Sequence, residues 1–179
     1  MEVRFLNPDD ADEWLRLRIE ALRGDPEAFS ASLEEYESLN IEEVQRRLWS
    51  SADAFVSGAF DHDALQGVAG FFRDKGLKTR HKGNVWYVYV TPKMRGMGVG
   101  RELMNQLLQR AATVAGVEQV LLSVARTQET AIRLYRSLGF EPYGCEPRSL
   151  KIEDRFIDEE YMILQLRRYP GVEPTKKAP

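Results

Sequence analysis

A glycine-rich turn between a predicted strand and a predicted helix holds the residues whose types and spacing best suit chemistry. The turn contains Arg95, Gly96, Gly98 and Gly100 and continues into Arg101. Glycine lets a backbone approach a ligand closely, and the first N–H groups of a helix have no partner within it. Those N–H groups and the helix dipole favour a bound phosphate. The turn is therefore predicted to bind phosphate, with the two arginines adding charge.

Two familiar phosphate-binding loops do not fit this turn. A Walker loop needs a Gly-Lys-Ser/Thr sequence, which is missing here. The dinucleotide fingerprint G-x-G-x-x-G, counted from Gly96, would end on Arg101. That fingerprint also requires an acidic residue about 20 residues further on, at the end of a second strand. The next predicted strand ends in Ser123 and Val124 instead, so dinucleotide binding is excluded.

Composition restricts the class of protein and its partners. A chain of 179 residues predicts one domain, placed at residues 1–168, with residues 169–179 as a disordered tail. The net charge of -3 gives no overall basic surface for a nucleic acid, and no run of about 18 apolar residues is present to span a membrane. The single cysteine, Cys145, excludes an internal disulfide, and the N-terminal residues have no apolar signal segment. These features predict a cytoplasmic protein with neither a nucleic acid nor a membrane as partner.

The segments around the turn predict an α/β fold. Residues 85–90, rich in β-branched and aromatic side chains, form a strand before it, and a helix carrying Leu103 and Leu107 follows. Further strands are predicted at 3–6, 54–60, 65–73, 119–124, 140–145 and 158–166, and further helices at 7–24 and 128–138. Residues 27–36 and 41–49 read as irregular or helical, and 148–156 as a polar connection or hairpin. This order predicts a mixed, mostly antiparallel central sheet with helices on both faces.

Two motifs resemble those of a known family. The Arg-x-x-Gly-x-Gly pattern of Arg95, Gly98 and Gly100 is similar to the acetyl-CoA pyrophosphate loop of the GNAT superfamily of N-acetyltransferases. Residues 131–140, AIRLYRSLGF, resemble the family's A-x-x-L-Y-x-x-x-G-F segment. Together with the order of elements, the resemblance covers residues 2–167. It implies the GNAT (acyl-CoA N-acyltransferase) fold and acetyl-CoA as the cosubstrate. No metal is expected, because the adjacent Asp61, His62 and Asp63 do not converge on one ion without ligands from elsewhere.

The resemblance also implies which residues bind the cosubstrate. The pantetheine arm pairs with the main chain of Val88 and Val90, like an added strand. Gln128 stands where the family usually has asparagine, and its contact with the cosubstrate is left open because glutamine is one methylene longer. The pyrophosphate is bound by the turn, through Arg95, Gly96, Met97, Gly98, Val99, Gly100 and Arg101.

The implied reaction is direct attack of a neutral amine on the thioester. Tyr135 stands at the position of the family's general acid, which protonates the leaving thiolate. The alternative for Tyr135 is an aromatic ring on the apolar stripe of its helix. Cys145 is the candidate for a covalent acyl-enzyme. Direct transfer needs no such nucleophile, and Cys145 is predicted to be a buried strand thiol.

The general base and the acceptor are not fixed by the sequence. Some family members use a glutamate on the central strand, at a position matching Asn84 here, and residues 84–90 include no acid. The base stays open among Glu34 or Glu35 acting through water, Glu146 and Tyr89. Glu34 and Glu35, together with Glu37, also favour a cationic acceptor, with a solvated helix face as the alternative.

The predicted acceptor is a small amine or the amine of a peptide or protein. Trp86, Tyr87 and Tyr89 alternate along the central strand, so one of its two faces is expected to form the wall of the acceptor pocket. A homodimer is compatible with the resemblance. The competing interpretation is a non-catalytic acyl-CoA-binding sensor, since the strand has no acid and Gln128 departs from the family pattern.

Overall fold

The computed structural model describes residues 1–169, so the predicted tail falls outside the described residues except for Tyr169. The strands are β1 Glu2–Phe5, β2 Ala54–Asp61, β3 Ala64–Arg73, β4 Lys82–Val90, β5 Gln119–Ala125, β6 Glu141–Ile152 and β7 Arg155–Gln165. The α-helices are α1 Ala11–Gly24, α2 Leu33–Glu37, α3 Ile41–Arg47, α4 Val99–Thr113 and α5 Glu129–Ser137. Short 3₁₀ turns lie at Pro8–Asp10, Pro26–Ala28, Pro92–Met94 and Leu166–Arg168.

The seven strands form one mixed sheet in the order β1-β2-β3-β4-β5-β7-β6. Only β4 and β5 are parallel, and every other neighbouring pair is antiparallel. One apolar cluster packs α1, α2 and α3 against one face of the sheet, and a second packs α4 and α5 against the other. The predicted mixed, mostly antiparallel sheet with helices on both faces is therefore confirmed.

Local sequence explains where α1 begins and which side it buries. The Asn7 side chain accepts a hydrogen bond from the Asp9 N–H over 2.8 Å and so caps the 3₁₀ turn Pro8–Asp10, which leads directly into α1. Trp14, Leu17 and Ala21 recur at helical spacing and have no exposed surface. This stripe fixes α1 against the sheet face that carries the aromatic side chains of β4.

The last two strands form a longer hairpin than the sequence indicates. Pairing continues to Ile152 opposite Arg155, inside the segment expected to be a polar connection or hairpin. Main-chain hydrogen bonds form a strand pair whether or not the side chains are apolar, so polarity alone does not mark its end. Cys145 lies on β6, the edge strand, and is exposed. The prediction of a buried thiol is wrong because residues 141–148 of this edge strand are all exposed.

The parallel strands β4 and β5 separate soon after they begin. Their pairing consists of Lys82 with Gln119, Gly83 with Val120, and Asn84 with Leu121. Beyond this point β4 stays paired with β3, and β5 stays paired with β7. The main chain of residues 85–90 therefore faces an opening in the middle of the sheet.

Candidate active site

A β-bulge in β4 directs its aromatic side chains to one face. Val68 pairs with Tyr89 and Gly70 pairs with Trp86, which leaves one extra residue in β4. Tyr87 lies in the bulge with φ of 47°, a conformation that costs a non-glycine residue about 1–3 kcal/mol. As a result Trp86, Tyr87 and Tyr89 all pack in the apolar cluster of α1. The expected alternation of these three side chains is wrong, and the aromatic wall lies on the α1 face.

A cavity of about 680 Å³ occupies the opening between β4 and β5. Its walls are formed by residues 85–90 of β4, 122–124 of β5, the glycine-rich turn, and residues at the start of α5. Asp25 and Phe29, from the connection between α1 and α2, close the opposite end. The cavity thus passes through the sheet from the α4 and α5 side to the α1 side.

The glycine-rich turn has the backbone that an anion site requires. Gly96 has φ of 78° and Gly98 has φ of 84°, and a Cβ at either position would meet nothing within 4 Å. Glycine is required there for its backbone conformation, not because space is short. Within the described residues, no acceptor binds the amide N–H groups of residues 96–101. These donors point to an anion at the start of α4.

Both arginines of the turn line the cavity and are held by neighbouring groups. Arg95 Nη2 lies 2.5 Å from Asp25 Oδ2, and its Nε donates to the Val90 carbonyl oxygen over 3.0 Å. Arg101 Nη2 donates to Ser137 Oγ over 2.7 Å. Arg95 thereby links the turn to the α1 side, and Arg101 links α4 to α5.

The structure brings most of the predicted cosubstrate-binding residues to this cavity. Met97 is the exception, because its side chain is exposed and does not line the walls. Gln128 stands at the N-terminal cap position of α5, and its side chain makes no capping hydrogen bond. The lining residues of the predicted set are Val88, Val90, Arg95, Gly96, Gly98, Val99, Gly100, Arg101 and Gln128.

Tyr135 reaches the cavity from α5. Its ring packs edge-on against Phe140, with the ring centroids 6.0 Å apart. Burial raises the pKa of the Tyr135 hydroxyl well above its ordinary value. The phenol therefore stays protonated over the whole physiological range, which is the form a proton donor needs.

Tyr89 reaches the cavity from the other face and is paired with a carboxylate that sequence reasoning missed. Its hydroxyl donates to Glu20 Oε1 over 3.2 Å. Burial and then the nearby Glu20 charge raise the pKa of Tyr89 to about 12. Glu20 Oε2 also lies 3.2 Å from Arg16 Nη1. Glu20 lies on an ordinary amphipathic helix, so no local signal in the sequence marks it.

The carboxylates predicted to act at the site do not line the cavity. Glu35 accepts the Ser32 N–H over 2.9 Å and so caps its own short helix, while Glu34 is exposed. Glu146 accepts a hydrogen bond from the Tyr161 hydroxyl on the β6–β7 hairpin. The structure therefore does not bring Glu34, Glu35 or Glu146 together with Tyr135 and the turn.

Asn84, at the position of the family's glutamate, is also engaged elsewhere. Its side-chain amide donates to Asp74 Oδ1 over 2.7 Å.

Across the described residues, no group of three or more His, Cys, Asp or Glu side chains is arranged to hold a metal ion. None of the helices in residues 1–169 is long and apolar enough to cross a membrane.

Comparison with known sequences decides the family. Residues 14–140 match the Acetyltransferase (GNAT) family. The chain belongs to the GNAT acetyltransferase family. The predicted family and fold are thus confirmed, and the turn, Tyr135 and the gap between β4 and β5 all lie within the matched GNAT region.

Two curated proteins are similar to this chain in sequence. The chain is 36% identical over 146 residues to an uncharacterized protein of Mycobacterium leprae, covering 82% of this chain and 36% of that protein. It is 32% identical over 139 residues to a mycothiol acetyltransferase of Thermobifida fusca, covering 74% of this chain and 41% of that protein. The chain thus spans less than half the length of these curated relatives.

Solved structures share the fold. A Salmonella typhimurium protein determined with its cofactor acetyl-CoA superposes with a TM-score of 0.80 at 22% identity. The match covers 100% of this chain and 97% of that one. The architecture of the sheet and helices is therefore that of a GNAT acetyltransferase.

Proposed function

We propose that this protein is an N-acetyltransferase that moves an acetyl group from acetyl-CoA to a primary amine by direct attack. The observation that carries the proposal is the cavity through the sheet. The glycine-rich turn and Tyr135 line it on one side of the sheet, and Tyr89 lines it on the other. A cosubstrate held from the α4 side and an amine arriving from the α1 side would meet between β4 and β5.

The chain's own residues fit acetyl-CoA. The N–H groups of residues 96–101 and the arginines beside them suit a diphosphate, which is dianionic and accepts several hydrogen bonds. The main chain of Val88 and Val90 faces the opening and suits an extended arm with amide groups. The Salmonella relative of the same fold was determined with acetyl-CoA, which supports this cosubstrate.

In the proposed reaction the amine nitrogen bonds to the acetyl carbon, and the bond from that carbon to sulfur breaks. Tyr135 gives its proton to the departing sulfur. The acceptor begins as an ammonium ion, since free amines have pKa values near or above neutral pH. It therefore loses two protons in all. One leaves before attack, and the second replaces the proton that Tyr135 has given up.

We assign removal of the first proton, the one that the ammonium group loses before attack, to Tyr89 and Glu20. A phenol with a pKa of about 12 is not itself ionised at neutral pH, so it does not act as a simple base. Its oxygen accepts the ammonium proton while its own proton passes to Glu20 Oε1, 3.2 Å away. Glu20 is half-buried and releases that proton to solvent. This assignment selects Tyr89 from the alternatives that the sequence leaves open.

The experiment measures the free thiol of coenzyme A that is released when the protein is given acetyl-CoA and each member of a panel of amines, amino acids and peptides. Thiol release that depends on an amine supports the proposed function. Tight acetyl-CoA binding with no release for any amine would instead support the acyl-CoA sensor. A relative named mycothiol acetyltransferase favours small amines as the first acceptors to be tried.

A further inference from the structure

Four buried side-chain atoms without a hydrogen-bond partner fall in a single cluster on the α1 face. Among residues 1–169 these are Trp14 Nε1, Arg18 Nε, Arg18 Nη1 and the Tyr87 hydroxyl oxygen. The Trp14 and Tyr87 rings lie 5.5 Å apart, and the guanidinium carbon of Arg18 lies 4.1 Å from the Tyr87 ring centroid. All four atoms can donate a hydrogen bond. Buried polar groups are normally paired, so this cluster lacks an acceptor.

Arg18 is the charged member of the cluster, and it is surrounded by aromatic rings. Its guanidinium carbon lies 4.8 Å from the Phe29 ring centroid and 4.6 Å from the Tyr36 ring centroid. The residue is only 4% exposed. Ring faces stabilise a cation, but they do not accept the in-plane N–H bonds of a guanidinium. A buried arginine usually has a carboxylate in that plane.

Nearby carboxylates do not fill this role. Within the described part of the chain, Arg18 forms no ion pair, whereas four carboxylates of α1, α2 and α3 are paired with other arginines. These pairs are Glu13 and Glu20 with Arg16, Glu37 with Arg23, and Glu43 with Arg47. The missing acceptor therefore has to come from outside the described chain.

The cluster adjoins the proposed active site. Phe29 and Tyr87 belong both to the ring cage around Arg18 and to the wall of the cavity. Phe29 is half-buried and follows the short 3₁₀ turn between α1 and α2. Phe29 therefore separates the cavity from Arg18, and we take the route between them to pass its side chain. This path lies on the same face as Tyr89, where the acceptor amine is expected.

We propose that Arg18 binds a carboxylate of the acceptor, so that the substrate is a small amine bearing a carboxylate group. The carboxylate inserts between Phe29 and Tyr87 and accepts hydrogen bonds from the Arg18 guanidinium and the Tyr87 hydroxyl. The inference rests on the proposed function, because it names the acceptor class of the same site. It replaces the cationic acceptor that Glu34, Glu35 and Glu37 favour in the sequence.

The test compares the binding of N-acetyl amino acids with that of their primary amides, by calorimetry on the full chain saturated with coenzyme A. Each acid and amide pair differs only in the carboxylate. At least one acid is expected to bind about ten-fold or more tightly than its amide. Arg18→Met should reduce that ratio to about one, and Arg18→Lys should retain part of it because a charge remains. Coenzyme A binding and circular dichroism verify that each variant is folded.

Arg47→Met is the matched control. Arg47 also lies over the Tyr36 ring, at 5.7 Å, but on the outer side and paired with Glu43. The Arg47→Met variant should leave the ratio of acid to amide binding unchanged. Equal binding of acids and amides, a ratio that survives Arg18→Met, or no binding of any compound would each overturn the inference.

The two proposals fail separately. If amines release thiol but acids and amides bind equally, only the carboxylate site is lost. If acids bind through Arg18 and no amine releases thiol, only the transferase proposal is lost.

Discussion

The hydroxyl of Tyr89 on β4 donates a hydrogen bond to Oε1 of Glu20 on α1, across 3.2 Å. This contact joins the sheet to the helix on the face opposite Tyr135. The two tyrosines therefore lie on opposite sides of one cavity. In the proposed mechanism Tyr89 receives a proton from the amine, and Tyr135 gives a proton to the leaving thiolate.

Tyr89→Phe should lower kcat at neutral pH by about 100-fold, since positioned proton transfer contributes that order of rate. The deficit should shrink as the pH approaches the pKa of the acceptor amine, because the amine then arrives already neutral. Steady-state rates from pH 6 to about 10 measure this. Tyr143→Phe, at an exposed tyrosine on β6, is the control and should change little. A deficit that is the same at every pH would contradict the proton-transfer role.

Tyr135→Phe should lower kcat by about 10- to 100-fold and leave the KM for acetyl-CoA unchanged. The ring still packs against Phe140, so the free energy of unfolding should change little. Burial raises the pKa of Tyr135, so its acid form persists above the usual value for tyrosine. In the wild type, then, no loss of kcat due to Tyr135 should occur between pH 7 and about 10. An unchanged turnover number in the variant would remove Tyr135 from the mechanism.

Gly98→Ala should raise the KM for acetyl-CoA and lower the free energy of unfolding by about 1 kcal/mol. The cause is the backbone, because φ is 84° and a Cβ there meets no other atom. Gly24→Ala is the matched control, since Gly24 ends α1 and also has open space around its Cβ position. The control should be neutral or slightly stabilising. Denaturant unfolding measures the change in stability, and steady-state kinetics measure the KM for acetyl-CoA. Equal effects of the two variants would argue against a special role for the turn.

Cys145→Ser should retain full activity. Cys145 is exposed on the edge strand β6 and does not line the cavity, so it is badly placed to form an acyl-enzyme. Alkylation of the wild-type thiol should likewise leave the rate of thiol release intact. Loss of activity in the serine variant, with the fold preserved, would reopen a covalent route.

The parts of the fold that depend on local sequence were predictable. Asn7 caps the 3₁₀ turn that leads into the first helix, and the spacing of Gly96, Gly98 and Gly100 marks a turn with unusual backbone. The stripe of Leu103 and Leu107 marks the helix that follows. Each of these features follows from neighbours within a few residues, which is the range over which periodicity and capping act.

The parts that depend on distant contacts were not predictable. The bulge at Tyr87 arises from the register of β4 against β3, and it reverses the face that simple alternation assigns. Arg18 and Glu20 look like ordinary polar residues of an amphipathic helix. Their roles arise from side chains of β4 far away in sequence. The acidic sequence around Glu35 favours a role at the acceptor, whereas in the structure the Glu35 carboxylate caps its own short helix.

A crystal structure with coenzyme A tests the central claim most directly. The account predicts the pyrophosphate on the amide N–H groups of residues 96–101, with the pantetheine arm running along Val88 and Val90 into the gap between β4 and β5. The sulfur should then end beside Tyr135. Coenzyme A density in any other groove, or an arm that bypasses the gap, would contradict the account.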